Sequence, residues 1–259
     1  MCLIIFAHQL DRRYPLVLAA NRDEFFSRAT DQADFWIGSE STQAILAGKD
    51  LIAGGTWLGV TKTGRFAAVT NIRDPSQPEQ KPRSRGELTL DFLAGDQSPH
   101  EYCDSLSERF DEFAGYNLLV GDKQTLYYVN NLEEKLWQLD AGIYGLSNGL
   151  LNSSWPKVNQ GRSQLQHLLE AEQGLATDNL IAMMNNRTRA SDEELPDTGL
   201  PVDIESKLSS AFIQNPERQY GTRCSTAIII ESTGDTRFTE QNYDDFGNAT
   251  ERHFFQFSS

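Results

Sequence analysis

The sequence predicts an α+β fold in which sheets pack between layers of helices. Short apolar runs of strand length, separated by tight turns, fill the beginning, the middle and the end of the chain. Two stretches with helical spacing of apolar residues lie between these runs. Runs of strands that alternate with pairs of helices are typical of sheets covered by helical layers. The length of 259 residues suits one domain, which we predict over residues 1–259.

The composition of the chain argues against several classes of function. The chain carries 37 acidic and 23 basic residues, a formal net charge of -14, and such a surface repels nucleic acids and anionic membranes. The three cysteines match no zinc or haem-attachment spacing, and their odd number favours a reducing compartment. No run approaches the ~18 apolar residues of a membrane-spanning helix. We therefore expect a cytoplasmic protein without membrane insertion, nucleic-acid partner or metal site.

The first strands organise the rest of the chain. Leu3–Ala7 and Pro15–Ala20 are apolar runs of strand length, and the second ends abruptly in Asn21-Arg22-Asp23-Glu24. A polar cluster at the end of a buried strand is costly unless its members pair or take part in function. If the two strands lie side by side, Cys2 comes close to this cluster.

Cys2 has two interpretations. Cysteine is small enough for a preceding initiator methionine to be removed, which would give Cys2 a free α-amino group. This amine titrates near ~7.7–8.0 and the thiol near ~8.5, so the amine can act as the base for its own thiol. The alternative is a small buried strand residue, as free cysteines often are.

Aromatic residues and glycines mark the next segment. Phe25–Glu40 is predicted to be irregular, and its aromatic residues form either a satellite core or a pocket wall. Gly54 and Gly55 precede Thr56-Trp57 and permit positive φ or close backbone approach. A turn is the default interpretation of this glycine pair, and contact with a ligand is the alternative.

Asparagines and basic residues supply further candidates. Asn71 and Asn148 each end an apolar run, where a side-chain amide can face a developing oxyanion or simply make a turn. Lys81, Arg83 and Arg85 precede a helix and either hold an anion or lie in a solvated loop. Arg223 enters a buried strand and needs an anionic partner, for which the Asp23-Glu24 pair is a candidate.

Helix starts are well marked. Ser84-Arg85-Gly86-Glu87 and Ser98-Pro99-His100-Glu101 are capping boxes, and the second opens a helix whose apolar spacing extends to Phe113. A longer helix starts at Trp155-Pro156. Thr177 or Asp178 caps the next, and a last short helix is predicted over Asp203–Phe212.

Taken together, the ordered motifs resemble the NRDE family, also known as the transport and Golgi organisation protein 2 family, over essentially the whole chain. This resemblance implies the fold of N-terminal-nucleophile hydrolases, a four-layer αββα sandwich with mainly antiparallel sheets. The motifs that carry it are Cys2, Asn21-Arg22-Asp23-Glu24, Gly54-Gly55-Thr56-Trp57-Leu58-Gly59, Thr70-Asn71, Arg85-Gly86-Glu87-Leu88, Tyr144-Gly145-Leu146-Ser147-Asn148 and Tyr220-Gly221-Thr222-Arg223.

The resemblance also implies catalytic residues. Cysteine members of the wider fold, such as the bile-salt and penicillin V acylases, also start Met-Cys. In those acylases an arginine lies three residues before the aspartate, a position that Ala20 holds here, with Arg22 adjacent to the aspartate instead. The residues that match the acylase pattern are Cys2 as nucleophile, Asp23, Asn71, Asn148 and Arg223.

The family is linked to intracellular haem trafficking and to lipid or acyl-CoA handling. Haem and acyl-CoA are largely apolar and carry anionic groups, so a pocket with aromatic and basic residues would suit either. The sequence shows no haem-ligand motif, and we expect no required cofactor, with haem as possible cargo. The residues expected to contact such an amphipathic ligand are Asn21, Arg22, Phe25, Trp36, Gly55, Thr56, Trp57 and Arg85.

Two functions follow as expectations. The first is a cytoplasmic carrier or chaperone that binds haem or a similar amphipathic anion near Cys2. The alternative is a cysteine amidohydrolase that acts on a non-peptide amide bond. A hydrolase scaffold that has lost its chemistry and kept a ligand site would be compatible with the carrier.

Overall fold

The computed structural model describes residues 2–37, 43–76, 81–171 and 174–258. The strands are β1 Cys2–Asp11, β2 Tyr14–Phe25, β3 Thr30–Ile37, β4 Ala44–Asp50, β5 Leu58–Thr61, β6 Phe66–Asn71, β7 Tyr116–Gly121, β8 Leu126–Asn130, β9 Lys135–Gln138, β10 Gly142–Leu146, β11 Gln214–Asn215, β12 Tyr220–Ile230, β13 Asp235–Tyr243 and β14 Ala249–Ser258. The α-helices are α1 Arg85–Ala94, α2 Pro99–Ser105, α3 Pro156–Glu170, α4 Thr177–Met184 and α5 Val202–Lys207.

The chain forms two compact units, each with one sheet. The first unit comprises residues 1–27 and 141–258, and its strands run in the order β10-β1-β2-β12-β13-β14, with β11 paired to β12. The second comprises residues 28–140, with the sheet order β3-β4-β5-β6-β7-β8-β9. The strand pairs of both sheets are antiparallel, which confirms the predicted α+β class.

Helices α3 and α4 pack on one face of the first sheet. Alternate residues of β1, β2 and β12 supply the sheet side of this core, as the two-residue period of a strand requires. Each fully buried aliphatic side chain contributes about 1.5–3 kcal/mol of hydrophobic stabilisation. The central members of this cluster are Leu3, Ile5, Val17, Ala19, Val158, Leu165, Leu180, Met184, Ala227 and Ile229.

Helices α1 and α2 cover one face of the second sheet. Both capping boxes form as the sequence predicts, with Ser84 and Ser98 as N-caps. Tyr102 packs its ring against Phe92 and donates its hydroxyl to the Leu88 carbonyl at 2.7 Å, which joins the two helices. No helix in the described part of the chain is long and apolar enough to cross a membrane.

Four element predictions were wrong. Helix α4 has Ala176 as its N-cap, so neither Thr177 nor Asp178 caps it. Phe25–Glu40 was expected to be irregular, but strand β3 lies within it. Strand β3 has the polar composition of an edge strand. Residues 38–40 lie outside the described ranges. The helix that begins at Pro99 ends at Ser105, and residues 106–112 form a 3-10 segment in which Arg109 is non-helical. Helix α5 ends at Lys207, five residues before the predicted end at Phe212.

Local hydrogen bonds explain the early end of α5. Ser209 donates its hydroxyl to the Ser206 carbonyl at 2.8 Å, and Ser210 donates to the Phe212 carbonyl at 2.6 Å. Serine hydroxyls that bond nearby carbonyls compete with the helical pattern. Apolar spacing therefore predicts which residues are buried, but it does not predict where the helical hydrogen bonds end.

The paired glycines join a turn to the start of α1. Gly54 has a φ of +81°, which glycine adopts without strain. A Cβ atom on Gly55 would lie 2.4 Å from the carbonyl carbon and oxygen of Gly86. Thr56 donates its backbone N–H to the same Gly86 carbonyl at 3.2 Å. Gly55 and Gly86 therefore allow the backbones of their two sequence motifs to touch.

We expect Gly55→Ala to destabilise the chain by about 2–4 kcal/mol, because the new methyl group meets backbone atoms that cannot rotate away. Urea unfolding followed by circular dichroism measures the loss. Gly174→Ala is the matched control, since nothing lies within 4 Å of its added methyl group. Equal stabilities for the two variants would contradict this packing.

Candidate functional site

The register of three strands in the first unit places Cys2 beside the Asn21–Glu24 motif. Cys2 lies opposite Arg22 in the β1–β2 pair, and Arg22 lies opposite Cys224 in the β2–β12 pair. Directly opposed residues share a face of the sheet, so these three side chains form one row. Arg22 is buried, and its Nη2 lies 3.9 Å from Glu24 Oε2.

Asp23 does not belong to the row of Cys2, Arg22 and Cys224. Two successive hydrogen bonds fix its carboxylate. The Ile213 backbone N–H donates to Thr222 Oγ1 at 2.9 Å, and the Thr222 hydroxyl donates to Asp23 Oδ1 at 2.7 Å. Because Oγ1 already accepts from the backbone, its proton is available for the carboxylate. Tyr220 fixes the backbone by donating its hydroxyl to the Asp23 carbonyl at 3.0 Å.

Burial governs the charge of Asp23. The side chain is 1% exposed, and desolvation raises its pKa to about 6. The positive charges of the chain's amino terminus and of Lys157 counteract this rise, as does the Thr222 hydrogen bond, whereas Glu24 adds to it. Asp23 therefore titrates within the range in which proteins commonly work.

The Cys2 thiol is not a preformed thiolate. Cys2 is half-buried, and desolvation raises the pKa of its thiol above the usual value, to which the charge of Asp23 adds. The charge of the chain's amino terminus, the charge of Arg22 and a hydrogen bond from the Asp23 backbone lower this pKa but do not reverse the rise. A reaction at this sulfur therefore needs a base.

Asn148 directly follows Ser147, whose side chain is bonded to the backbone of Cys2 in the first unit. Ser147 donates its hydroxyl to the Cys2 carbonyl oxygen at 3.1 Å, and that hydroxyl lies 3.5 Å from Asn148 Oδ1. Both residues are fully buried and directly follow β10, which pairs with β1. The segment after β10 is thus hydrogen-bonded to the backbone of Cys2.

Arg223 does not pair with the Asp23-Glu24 cluster, contrary to the prediction. The register of β2 and β12 shifts between Thr222 and Cys224, so Arg223 occupies a β-bulge. Its Nη1 donates to the Phe26 carbonyl at 2.9 Å and lies 3.4 Å from Asp245 Oδ1. The bulge turns this arginine outward, where its side chain is 24% exposed.

Asn21 and Phe25 occupy opposite extremes of exposure. Asn21 Nδ2 donates to the carbonyls of Met184 and Ala211, both at 2.8 Å, and its Oδ1 accepts from the Ser225 hydroxyl at 2.5 Å. This amide ties β2 to the end of α4, and its contact with a ligand stays a prediction. Phe25 is 53% exposed and meets the edge of its neighbour Tyr220, with ring centroids 5.2 Å apart.

Six predicted site residues belong to the second unit. Asn71 ends β6 and is half-buried, and buried Thr56 donates its hydroxyl to the Leu58 carbonyl at 3.2 Å. The Trp36 indole donates to the Ala47 carbonyl at 2.8 Å. The others are Gly55 on Gly86, Trp57 over Gly48, and Arg85, whose Nη1 donates to the Gly115 carbonyl at 3.2 Å.

The basic residues Lys81 and Arg83, which precede α1, bind different partners within the protein. Arg83 lies 2.9 Å from Glu87, 3.2 Å from Asp91 and 3.5 Å from Glu112, so protein carboxylates surround its guanidinium group. Lys81 donates to the Asp111 carbonyl at 3.2 Å. An external anion would have to compete with these partners.

Sequence reasoning missed Lys157 and Thr222. Lys157 is 3% exposed, although it follows Pro156 in the first turn of α3, and its charge acts on Asp23. A lysine at the positive end of a helix is unfavourable, and this anomaly was visible in the sequence. Thr222 belongs to the Tyr220-Gly221-Thr222-Arg223 motif, but nothing in the sequence marks its hydroxyl as the partner of Asp23.

Comparisons with known proteins agree with this architecture. A sequence profile described as Transport and Golgi organisation 2 matches residues 1–245. The Transport and Golgi organization protein 2 homolog of Homo sapiens is 35% identical over 264 residues, which cover 93% of each chain. Transport and Golgi organization protein 2 of Drosophila melanogaster is 26% identical over 263 residues, covering 93% of this chain and 92% of its own.

A solved structure gives the fold. A mutant conjugated bile acid hydrolase from Clostridium perfringens superposes with a TM-score of 0.52 at 11% identity, over 100% of this chain and 97% of its own. At this identity the likeness shows the fold alone. The predicted N-terminal-nucleophile hydrolase fold is therefore confirmed.

The raised pKa of Asp23 predicts a distinct pH dependence of stability. The unfolded carboxyl group loses its proton near its ordinary pKa of ~3.9, whereas the folded one keeps it until about pH 6. Ionisation of Asp23 therefore costs stability as the pH rises through this window. The stability of Asp23→Asn relative to the unsubstituted chain should improve by on the order of 2–3 kcal/mol between pH 4 and pH 7.5.

Urea unfolding at a series of pH values measures this difference. The loss of the carboxylate's contacts gives a constant offset, so the change with pH is the informative quantity. A stability difference that is flat across the window would contradict the raised pKa.

Proposed function

The chain belongs to the Transport and Golgi organisation 2 family, and we propose that it is a cysteine amidohydrolase that cleaves an acyl amide once Met1 has been removed. The observation that carries this proposal is the strand register, which sets Cys2 beside buried Arg22 and next to the Asp23 backbone. The hydrolase fold accommodates such chemistry. This assignment moves the amidohydrolase ahead of the carrier that the family resemblance favoured.

The first chemical step forms a thioester. The α-amino group of Cys2 takes the thiol proton while Sγ attacks the carbonyl carbon of the amide. The raised pKa of the thiol makes this base necessary. When the tetrahedral intermediate collapses, the C–N bond breaks, and the leaving amine takes the proton from the α-ammonium group. Asn148 is the side chain we assign to the oxyanion.

The second step releases the acid. The α-amino group takes a proton from water as the water oxygen attacks the thioester carbonyl carbon. The C–S bond then breaks, and the proton returns to the sulfur. Asp23 holds the ammonium group that forms in both steps, and Arg22 stabilises the developing thiolate, whose pKa its charge lowers.

A carrier of an amphipathic anion is the second candidate. The feature that favours it is the exposed ring of Phe25 beside Tyr220, with the Arg223 guanidinium 5.6 Å from the Phe26 ring. An apolar surface next to a cation suits haem or an acyl compound with an anionic group. The same surface would serve a hydrolase as part of its substrate site.

A trapping experiment tests the hydrolase. Chain that lacks Met1 is incubated with a panel of acyl p-nitroanilides of increasing acyl length. We expect p-nitroaniline release, with an acyl adduct on Cys2 in the peptide mass spectrum. Cys2→Ala should abolish both, whereas Cys103→Ala should change neither, because Cys103 is a buried core residue of the second unit.

Release that persists in Cys2→Ala, or no release with any member of the panel, would contradict the hydrolase. A haem titration of the same samples decides the second candidate. Saturable, stoichiometric change in the Soret band that is weakened by Phe25→Ala supports a carrier, and a linear response counts against it.

A further inference from the structure

Asn152 fastens the connection between β10 and α3 to the strand from which it leaves. Strand β10 lies at one end of the first sheet's strand order, with β1 as its neighbour. The Asn152 backbone N–H donates to the Gly145 carbonyl at 2.8 Å, and the Asn152 Oδ1 accepts from the Gly145 N–H at 2.9 Å. One residue therefore satisfies both backbone groups of Gly145, as a residue of a paired antiparallel strand would.

The conformation of Asn152 is specific. Its φ of +58° lies in the left-handed region, which asparagine adopts more readily than most residues. Asn152 is exposed, so burial does not account for this placement. Gly145 itself packs against α3, since a Cβ atom on it would lie 2.6 Å from Val158 Cγ1. The segment 147–152 is therefore held at its end by β10, which in turn contacts α3.

The segment 147–152 starts with Ser147, which contacts the candidate nucleophile. The pairing of β10 with β1 ends at Leu146. Beyond this point the fully buried Ser147 hydroxyl donates to the Cys2 carbonyl oxygen at 3.1 Å. A hydroxyl has one proton, and Asn148 Oδ1 lies farther away, at 3.5 Å, so the Cys2 carbonyl is the better acceptor. A side chain thus holds Cys2 where the strand pairing has stopped.

This contact matters most after the removal of Met1. Cys2 is then the first residue, and a terminal residue is poorly ordered unless it is tied down. The amine, the thiol-bearing Cβ and the carbonyl of Cys2 share one Cα atom, and the planar peptide group keeps that Cα in the plane of the held carbonyl. A misplacement of ~1 Å in a reacting group can lower a rate by ~100-fold.

We propose that Ser147 is a positioning residue for the amine and thiol of Cys2, and that Asn152 fixes the segment that carries Ser147. Ser147 acts through the carbonyl of Cys2, not through the reacting atoms. The inference rests on the proposed function, because the position of the Cys2 amine matters for catalysis only where this amine is the base.

Alkylation of Cys2 by iodoacetamide, followed by peptide mass spectrometry, tests the contact without a substrate. Chain that lacks Met1 is compared with Ser147→Ala, which removes the donor, and with Asn152→Gly, which keeps the positive φ but removes Oδ1. In both variants we expect Cys2 to gain solvent, so that its raised pKa falls toward the ordinary ~8.5 and alkylation becomes ~10-fold faster. Asn152→Asp, which keeps Oδ1 and tolerates the positive φ, should retain the slow rate.

Cys103 and Cys224 are internal controls, because both are buried. Their alkylation should stay slow in every variant, whereas unfolding would expose all three thiols together. The release of p-nitroaniline should change in the opposite direction from Cys2 alkylation. We expect kcat to fall by ~100-fold in Ser147→Ala and in Asn152→Gly, with little change in KM.

Unchanged alkylation of Cys2 in Ser147→Ala would overturn the proposal. Faster alkylation of all three thiols would overturn it too, because the hydroxyl would then serve the fold as a whole. An Asn152→Gly chain that keeps Cys2 protected would remove Asn152 from the account. Absence of p-nitroaniline release in the unsubstituted chain would defeat the proposed function, whereas the alkylation rates would still decide whether Ser147 holds Cys2.

Discussion

The pairing of β2 with β1 on one side and with β12 on the other is the constraint on which the candidate site depends. It puts Cys2, Arg22 and Cys224 in one row and brings Thr222 opposite Asp23. Since a shift of one residue would move every side chain to the other face, the buried apolar residues that fix this register also fix the site. The core and the chemistry therefore cannot vary independently.

Burial of charge is the second constraint. Asp23, Arg22 and Lys157 are all almost fully buried in the first unit, where an isolated charge would be very unfavourable. A set of buried charges is often no more stabilising than a well-packed apolar replacement of similar volume. Stability alone does not explain such an arrangement, which agrees with the catalytic roles that we propose for Asp23 and Arg22.

The sequence predicted what depends on local pattern. Both capping boxes, the start of α3 and the proximity of Cys2 to the Arg22 motif follow from spacing and strand length. The outward turn of Arg223 was not predictable, because it arises from a bulge that has no marker in the apolar pattern. Lys157 is buried by tertiary packing, which no local periodicity encodes. Edge strand β3 was missed because its polar residues resemble those of a loop.

The intact mass of the untagged protein, purified from its own cells, tests whether Cys2 is an N-terminal nucleophile, as we propose. We predict that Met1 is absent, so that the amine of Cys2 is free to accept the proton of a thiol whose pKa is raised. Quantitative retention of Met1 would contradict it, because the sulfur would then lack the base that the mechanism assigns to its own residue.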